Sequence, residues 1–122
     1  MLVKNIFLIS AIVLVTSCSN HTIDDVTEPL EETPELVTFQ DVKFVFDNVC
    51  QQCHTNPPIN GAPLQLITFD NVKEAVLNRN LLFRISRDNG DPFLMPFGGP
   101  RLPQGNIDLI FQWEADGLLE NQ

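Results

Sequence analysis

The chain lacks tyrosine altogether and contains one tryptophan and only two histidines. Basic residues are also scarce, since seven Lys and Arg stand against sixteen Asp and Glu, for a net charge of −9. Such a surface repels the phosphates of nucleic acids, and it cannot bind an anionic lipid surface by charge alone. The composition therefore argues against nucleic acid as a partner. An acidic surface instead suits protein partners that have basic docking patches.

Long hydrophobic runs are absent as well, and the longest one covers residues 6–15, broken only by Ser10. About ten residues are too few to cross a hydrocarbon core of roughly 30 Å as a helix. Lys4 precedes the run, and the small residues Thr16 and Ser17 follow it, which is the layout of a secretion signal. The sequence predicts a signal peptide over residues 1–17 and export from the cytoplasm.

Cys18 directly follows this segment, in a run that resembles the cleavage site of bacterial lipoprotein signals. The resemblance implies that Cys18 is lipidated and anchors the mature chain to a bacterial membrane. Ser19 at the next position favours the outer membrane, so the protein is expected to be periplasmic or outer-membrane associated. The alternative is an ordinary signal peptide followed by an incidental cysteine.

Residues 18–38 predict a flexible linker. Between Ser19 and Val37 the sequence has six carboxylates and no Lys or Arg. A segment of this kind buries too little apolar surface to fold by itself. It is expected to act as a tether that lets a folded domain swing away from the membrane.

Residues 39–122 predict one all-α domain of about four short helices. Apolar positions recur there at helical spacing, and no strand pattern competes. The segment from Asp88 to Arg101 is too rich in Pro and Gly for regular structure and is expected to be an ordered loop. The four helices are expected from Thr38 to about Cys53, from Thr68 or Asp70 onward, over 81–85, and from Pro103 to a stop at Gly117.

Buried faces follow from the same spacing. In the first helix, Thr38 with Asp41 gives a capping box. In the last helix, Ile107, Ile110 and Phe111 are expected to form the buried stripe, which Trp113 extends.

The chemistry concentrates in Cys50-Gln51-Gln52-Cys53-His54. A Cys-x-x-Cys-His run is typical of c-type haem attachment, in which the two thiols form thioethers with the haem and the imidazole binds its iron. Cys-x-x-Cys alone is also a thiol–disulfide motif, although that motif usually opens a helix after a strand. A zinc half-site is the third interpretation. Zinc would need two more ligands, and outside this run the chain offers only Cys18 and His21.

Met95 is the only methionine left once the signal is removed. It lies in the predicted loop, as Met95-Pro96-Phe97-Gly98-Gly99, and a thioether in such a position is a candidate sixth ligand of a haem iron. The alternative is that Met95 fills a gap in the core.

From about Phe39 to Leu119, the chain resembles the small single-haem, class I-like cytochrome c domains of bacteria. The shared features are a first helix ending in Cys50-x-x-Cys53-His54, a turn like that at 64–66, the Met95 loop, and a last helix with Ile110 and Trp113. The resemblance implies one covalently attached haem c, thioethers at Cys50 and Cys53, His54 as proximal ligand and Met95 as distal ligand.

The resemblance also implies that the first and last helices pack against each other. The contact candidates are Val45, Phe46, Ile110 and Trp113. An acceptor is expected on the second ring nitrogen of His54, with the carbonyls of Ala62 and Pro63 as guesses. Arg84, Arg87 and Arg101 are each expected either to pair with haem propionates or simply to be solvated.

With both axial positions of the iron filled, the expected function is a monomeric single-electron carrier and not an enzyme. The alternative is a haem-based sensor or small peroxidase-like module with a displaceable sixth ligand. A further alternative is a structural lipoprotein in which Cys50 and Cys53 form a disulfide.

Overall fold

The structure is a computed structural model that describes residues 35–122. The expected signal peptide, Cys18, and nearly all of the expected linker lie outside the described residues. No helix within 35–122 combines the length and the apolar character needed to span a membrane. The described part is helical, as expected, and its helices are α1 (Phe39–Asn48), α2 (Phe69–Asn78), α3 (Leu81–Ile85) and α4 (Gln104–Ala115), with a 3-10 turn at Cys50–Gln52.

Helix α1 begins as its sequence predicts. Both the backbone N–H and the hydroxyl of Thr38 donate to one carboxylate oxygen of Asp41, at 2.8 and 2.7 Å. These bonds hold the pKa of the Asp41 carboxyl below its usual value, and the bond from the hydroxyl has the larger effect. The capping box is therefore confirmed.

The end of α1 differs from the expectation. The helix was expected to continue to about Cys53, but it ends at Asn48. At Val49 φ widens to −118°, while ψ keeps a near-helical value of −56°. The chain then tightens, because the N–H of Cys53 donates to the carbonyl of Cys50, three residues back, at 3.2 Å. The Cys-x-x-Cys segment thus forms a 3-10 turn after the helix.

The core forms where α1 and α4 pack against each other. Trp113 is fully buried and lies 5.7 Å from Phe39 and 6.3 Å from Phe69, measured between ring centroids. The expected contact residues Val45, Phe46 and Ile110 are buried as well. The packing of the first helix on the last is thereby confirmed.

The buried face of α4 is narrower than predicted. Ile107, Ile110 and Trp113 are buried, but Phe111 keeps 41% of its surface exposed. At about 100° per residue these three positions centre the buried stripe near Ile110, which leaves Phe111 about 100° away from that centre. The expectation for Phe111 was therefore wrong. Burial of Trp113 turns the opposite side of α4 toward the core and leaves Phe111 at the edge of the buried face.

Beyond α4 the chain reverses and meets the start of α1. The carbonyl of Leu119 accepts from the Phe39 N–H and from the Trp113 ring N–H, both at 2.8 Å. The N–H of Val37 donates to the carboxylate of Asp116 at 2.7 Å. These bonds hold the segment that leads into α1 against the segment that follows α4.

Helix α4 ends at Ala115 with Asp116 as its C-cap, and the predicted stop, Gly117, follows. The Gly117 N–H donates to the Glu114 carbonyl at 3.1 Å, and the Leu118 N–H donates to the Trp113 carbonyl at 2.9 Å. This is the Schellman pattern, in which the residue after the cap is left-handed. Gly117 has φ +99°, and buried Leu118 provides the accompanying apolar contact.

We expect Gly117→Ala to lower the free energy of unfolding by about 1–2 kcal/mol, because a Cβ is strained in the left-handed region. An added Cβ meets no neighbouring atom within 4 Å, so the cost is conformational. Gly105→Ala, within α4 and equally unobstructed, is the matched control and should be neutral or stabilising by up to about 1 kcal/mol. Urea unfolding midpoints check both, and equal shifts would contradict the assignment.

Candidate functional site

Cys50, Cys53 and His54 are brought together by one turn of chain. The carbonyl of Cys50 accepts from the N–H of Cys53 at 3.2 Å and from the N–H of His54 at 2.9 Å. The turn follows α1 directly, so the packing of α1 on α4 fixes its base. The run predicted to carry the chemistry therefore follows a helix that is packed into the core.

The imidazole of His54 is held by the chain ten residues later. Its Nδ1 lies 2.8 Å from the carbonyl oxygen of Leu64. A carbonyl only accepts, so Nδ1 carries the hydrogen and the neutral ring keeps its lone pair on Nε2. An imidazole in this tautomer is ready to bind a metal through Nε2.

The predicted acceptors for this ring, Ala62 and Pro63, were wrong. The N–H of Leu66 donates to the carbonyl of His54 at 2.9 Å, which aligns residues 64–66 alongside His54. This alignment places the carbonyl of Leu64 next to the His54 ring. Ala62 instead closes a separate turn, where its N–H donates to the carbonyl of Ile59 at 3.0 Å.

The two thiols lie in different surroundings. Cys50 packs against the hydrophobic core, and this burial raises the pKa of its thiol to about 12. Cys53 accepts a hydrogen bond from the side-chain amide of Asn60 at 3.5 Å. Neither cysteine is in a disulfide. A thiol that stays protonated at neutral pH attacks disulfides slowly, so the surroundings of Cys50 do not favour exchange chemistry.

The side chains of this turn are not placed as a zinc site. Within residues 35–122, no group of three or more His, Cys, Asp or Glu side chains is placed to hold one metal ion. A structural zinc site needs four such ligands in a tetrahedron. The geometry therefore gives the zinc interpretation no support.

Met95 lies on a separate segment that is tied to α3. Its N–H donates to the carbonyl of Arg84 at 3.1 Å, and its side chain is half-buried. As predicted, residues 88–101 form neither helix nor strand. The two ends of this loop are joined as well, because the N–H of Arg101 donates to the side chain of Asn89 at 2.8 Å.

Beside this loop, two phenylalanine rings that were not predicted as functional pack with Arg84 and Arg87. The rings of Phe83 and Phe93 lie 6.2 Å apart, and both are about half exposed. The guanidinium of Arg87 lies over the Phe83 ring at 4.4 Å, and that of Arg84 lies 5.9 Å from the Phe93 ring. The closeness of several Phe and Arg residues to Met95 in the sequence could have indicated this cluster.

Comparisons with known proteins add no relative to this picture: no protein-family model, curated protein or solved structure matches the chain. The candidate site is therefore defined by its own geometry. The candidate residues lie on two segments, which are the Cys50–His54 turn with the Leu64 carbonyl, and the loop that carries Met95.

Proposed function

We propose that this chain is a monohaem c-type cytochrome with a cytochrome c fold, which carries single electrons outside the cytoplasm. The observation that carries the proposal is the imidazole of His54. It directly follows the Cys-x-x-Cys pair, and the Leu64 carbonyl holds its Nδ1–H at 2.8 Å so that Nε2 is free for a metal. Orientation of a ligating histidine by a carbonyl is the usual arrangement at metal sites.

The donor set fits a haem c. Cys50 and Cys53 are free thiols on a single turn. Each would add across one vinyl group of the haem, forming a C–S bond while the thiol hydrogen passes to the neighbouring carbon. His54 would bind the iron through Nε2. The haem iron supplies the chemistry, which is the gain and loss of one electron.

Met95 is the proposed second axial ligand. The N–H of Met95 is tied to the Arg84 carbonyl in α3, and Arg101 and Asn89 join the two ends of the loop to each other. These bonds would limit how far the thioether moves between oxidation states. A methionine ligand also raises the reduction potential relative to a second nitrogen ligand. With His54 and Met95 both bound to the iron, no position would remain for a substrate, so the protein would act as a carrier and not as an enzyme.

The remaining parts of the proposal concern location and partners. Cys18 would carry the lipid, and residues 18–38 would tether the domain to a bacterial membrane, in the periplasm or at the outer membrane. With a net charge of −9, the monomeric carrier would meet redox proteins that have basic docking surfaces, in a salt-sensitive manner.

The visible spectrum and mass of the full, export-matured protein test this function. We expect a narrow low-spin α band after reduction, no rapid binding of carbon monoxide, and a haem mass on the peptide that holds Cys50 and Cys53. Rapid binding of carbon monoxide would favour a sensor or peroxidase-like module. A colourless protein would overturn the proposal.

Met95→Ala should leave the haem covalently attached but lower the reduction potential and open the iron to carbon monoxide, because the soft sixth ligand is lost. Phe97→Ala is the matched control in the same loop, since the Phe97 side chain is 79% exposed. It should change neither property. Potentiometry and carbon monoxide titration measure both. An unchanged spectrum and potential in Met95→Ala would remove Met95 from this role.

A further inference from the structure

A tight turn at residues 59–62 follows shortly after the Cys50–His54 turn. The N–H of Ala62 donates to the carbonyl of Ile59 at 3.0 Å and closes the turn. Its two central residues, Asn60 and Gly61, have φ +53° and +78°. Two left-handed central residues are typical of a type I′ turn, for which Asn-Gly is a preferred pair. The sequence therefore fixes the shape of this turn locally.

The turn at 59–62 is folded back onto Cys53. The N–H of Ile59 donates to the Cys53 carbonyl at 2.9 Å, and the side-chain amide of Asn60 donates to the Cys53 sulfur at 3.5 Å. A sulfur atom is a weak acceptor, so this second bond adds little stability by itself. It does give the Cys53 side chain a fixed neighbour, because the first bond holds the backbone of the turn in place.

The two cysteines differ in what holds their side chains. Cys50 packs against the hydrophobic core, which limits the directions its sulfur can take. Cys53 is half-buried and is not among the residues of 35–122 that pack against this core. A cysteine without such packing can choose among three staggered χ1 positions. The amide of Asn60 favours one of them.

A left-handed backbone alone does not account for the contact between Asn60 and the sulfur. Asn80 has almost the same conformation, with φ +56°, at the start of α3, and its side chain makes no capping hydrogen bond there. Asparagine is one of the residues that tolerate this region, which is sufficient reason for its presence at both positions. What distinguishes Asn60 is the donor that it points at Cys53.

Resting on the proposed function, we infer that Asn60 is a positioning residue for the second thioether, whose sulfur it holds in the orientation that reacts. In that step the Cys53 S–H adds across a vinyl group of the haem. A C–S bond forms, the thiol hydrogen passes to the neighbouring carbon, and the vinyl double bond becomes single, with no leaving group and no oxidant. The thioether sulfur keeps its lone pairs, so the Asn60 amide can still donate to it afterwards.

The test counts haem-loaded chains in which Cys53 has not reacted. The full, export-matured protein is denatured, reduced and treated with iodoacetamide, and mass spectrometry measures how much of the haem-bearing peptide is alkylated at Cys53. Asn60→Gly keeps the left-handed backbone and removes the amide. We expect it to raise the ratio of singly to doubly attached haem about fivefold, the factor that corresponds to one lost neutral hydrogen bond.

Two further variants separate the hydrogen bond from other effects of the substitution. Asn60→Asp keeps the shape of the side chain but has no N–H to donate, so it should raise the ratio as well. Asn80→Gly removes the same side chain from an equally left-handed position and should leave the ratio unchanged. Unlike an unfolding midpoint, this ratio reports on Cys53 itself, so a role in stability alone would not change it.

Equal ratios in Asn60→Gly and Asn80→Gly would overturn the assignment. A wild-type ratio in Asn60→Asp would overturn it too, because the N–H would then have no part in holding the sulfur. In both cases the wild type remains coloured. A colourless wild type without a haem mass on the peptide that holds Cys50 and Cys53 would instead overturn the proposed function, so the two failures are distinguishable.

Discussion

Replacing both Cys50 and Cys53 with alanine is expected to abolish covalent haem attachment completely. The two thiols are the only described groups that could form thioethers, and neither is in a disulfide. After denaturation and extraction with acidified organic solvent, the wild-type chain should keep its haem absorbance. The double variant should lose all of it, although His54 is still present to bind iron reversibly. Mass spectrometry of the export-matured chains gives the same readout independently.

The third cysteine of the chain provides the matched control for this experiment. Cys18→Ala should release the protein from the membrane fraction and leave the haem absorbance unchanged. Haem that survives extraction in the Cys50→Ala, Cys53→Ala variant would contradict the proposed attachment. Loss of haem in Cys18→Ala alone would mean that all three thiols act together in maturation, contrary to the separate roles proposed.

Features set by short-range chemistry could be predicted from the sequence. The capping box of Thr38 and Asp41 involves residues three apart, and the stop at Gly117 needs only a residue that accepts positive φ. The Cys50–His54 run is local in the same sense. Helical periodicity gave the four helices, because apolar positions three and four apart must share one face.

Features that depend on a distant segment could not be predicted from the sequence. The Leu64 carbonyl reaches His54 only because residues 64–66 return alongside that histidine, and nothing in the intervening Pro-rich stretch fixes where the return occurs. The exposure of Phe111 depends on how α4 is rotated against α1, which the bulk of Trp113 decides.

The largest loss of stability is expected for Trp113→Ala. This side chain is fully buried, contacts the Phe39 and Phe69 rings, and donates its ring N–H to the Leu119 carbonyl. Truncation of a buried tryptophan costs about 3–5 kcal/mol, through lost burial and the cavity left behind. Since small domains are stable by only about 5–15 kcal/mol, the variant should be close to unfolding at room temperature.

Two further variants separate the causes of this loss. Trp113→Phe keeps most of the apolar contact but removes the ring N–H, and the Leu119 carbonyl would still accept from the Phe39 N–H at 2.8 Å. Its cost should therefore be well below that of Trp113→Ala. Phe111→Ala, on the exposed side of the same helix, should stay within about 0.5 kcal/mol of the wild type. Urea unfolding followed by circular dichroism ranks the three. Helix α1 leads directly into the Cys50–His54 turn, so the packing of α4 on α1 should also support that turn. If Trp113→Ala unfolds no more easily than Phe111→Ala, α4 does not provide this support.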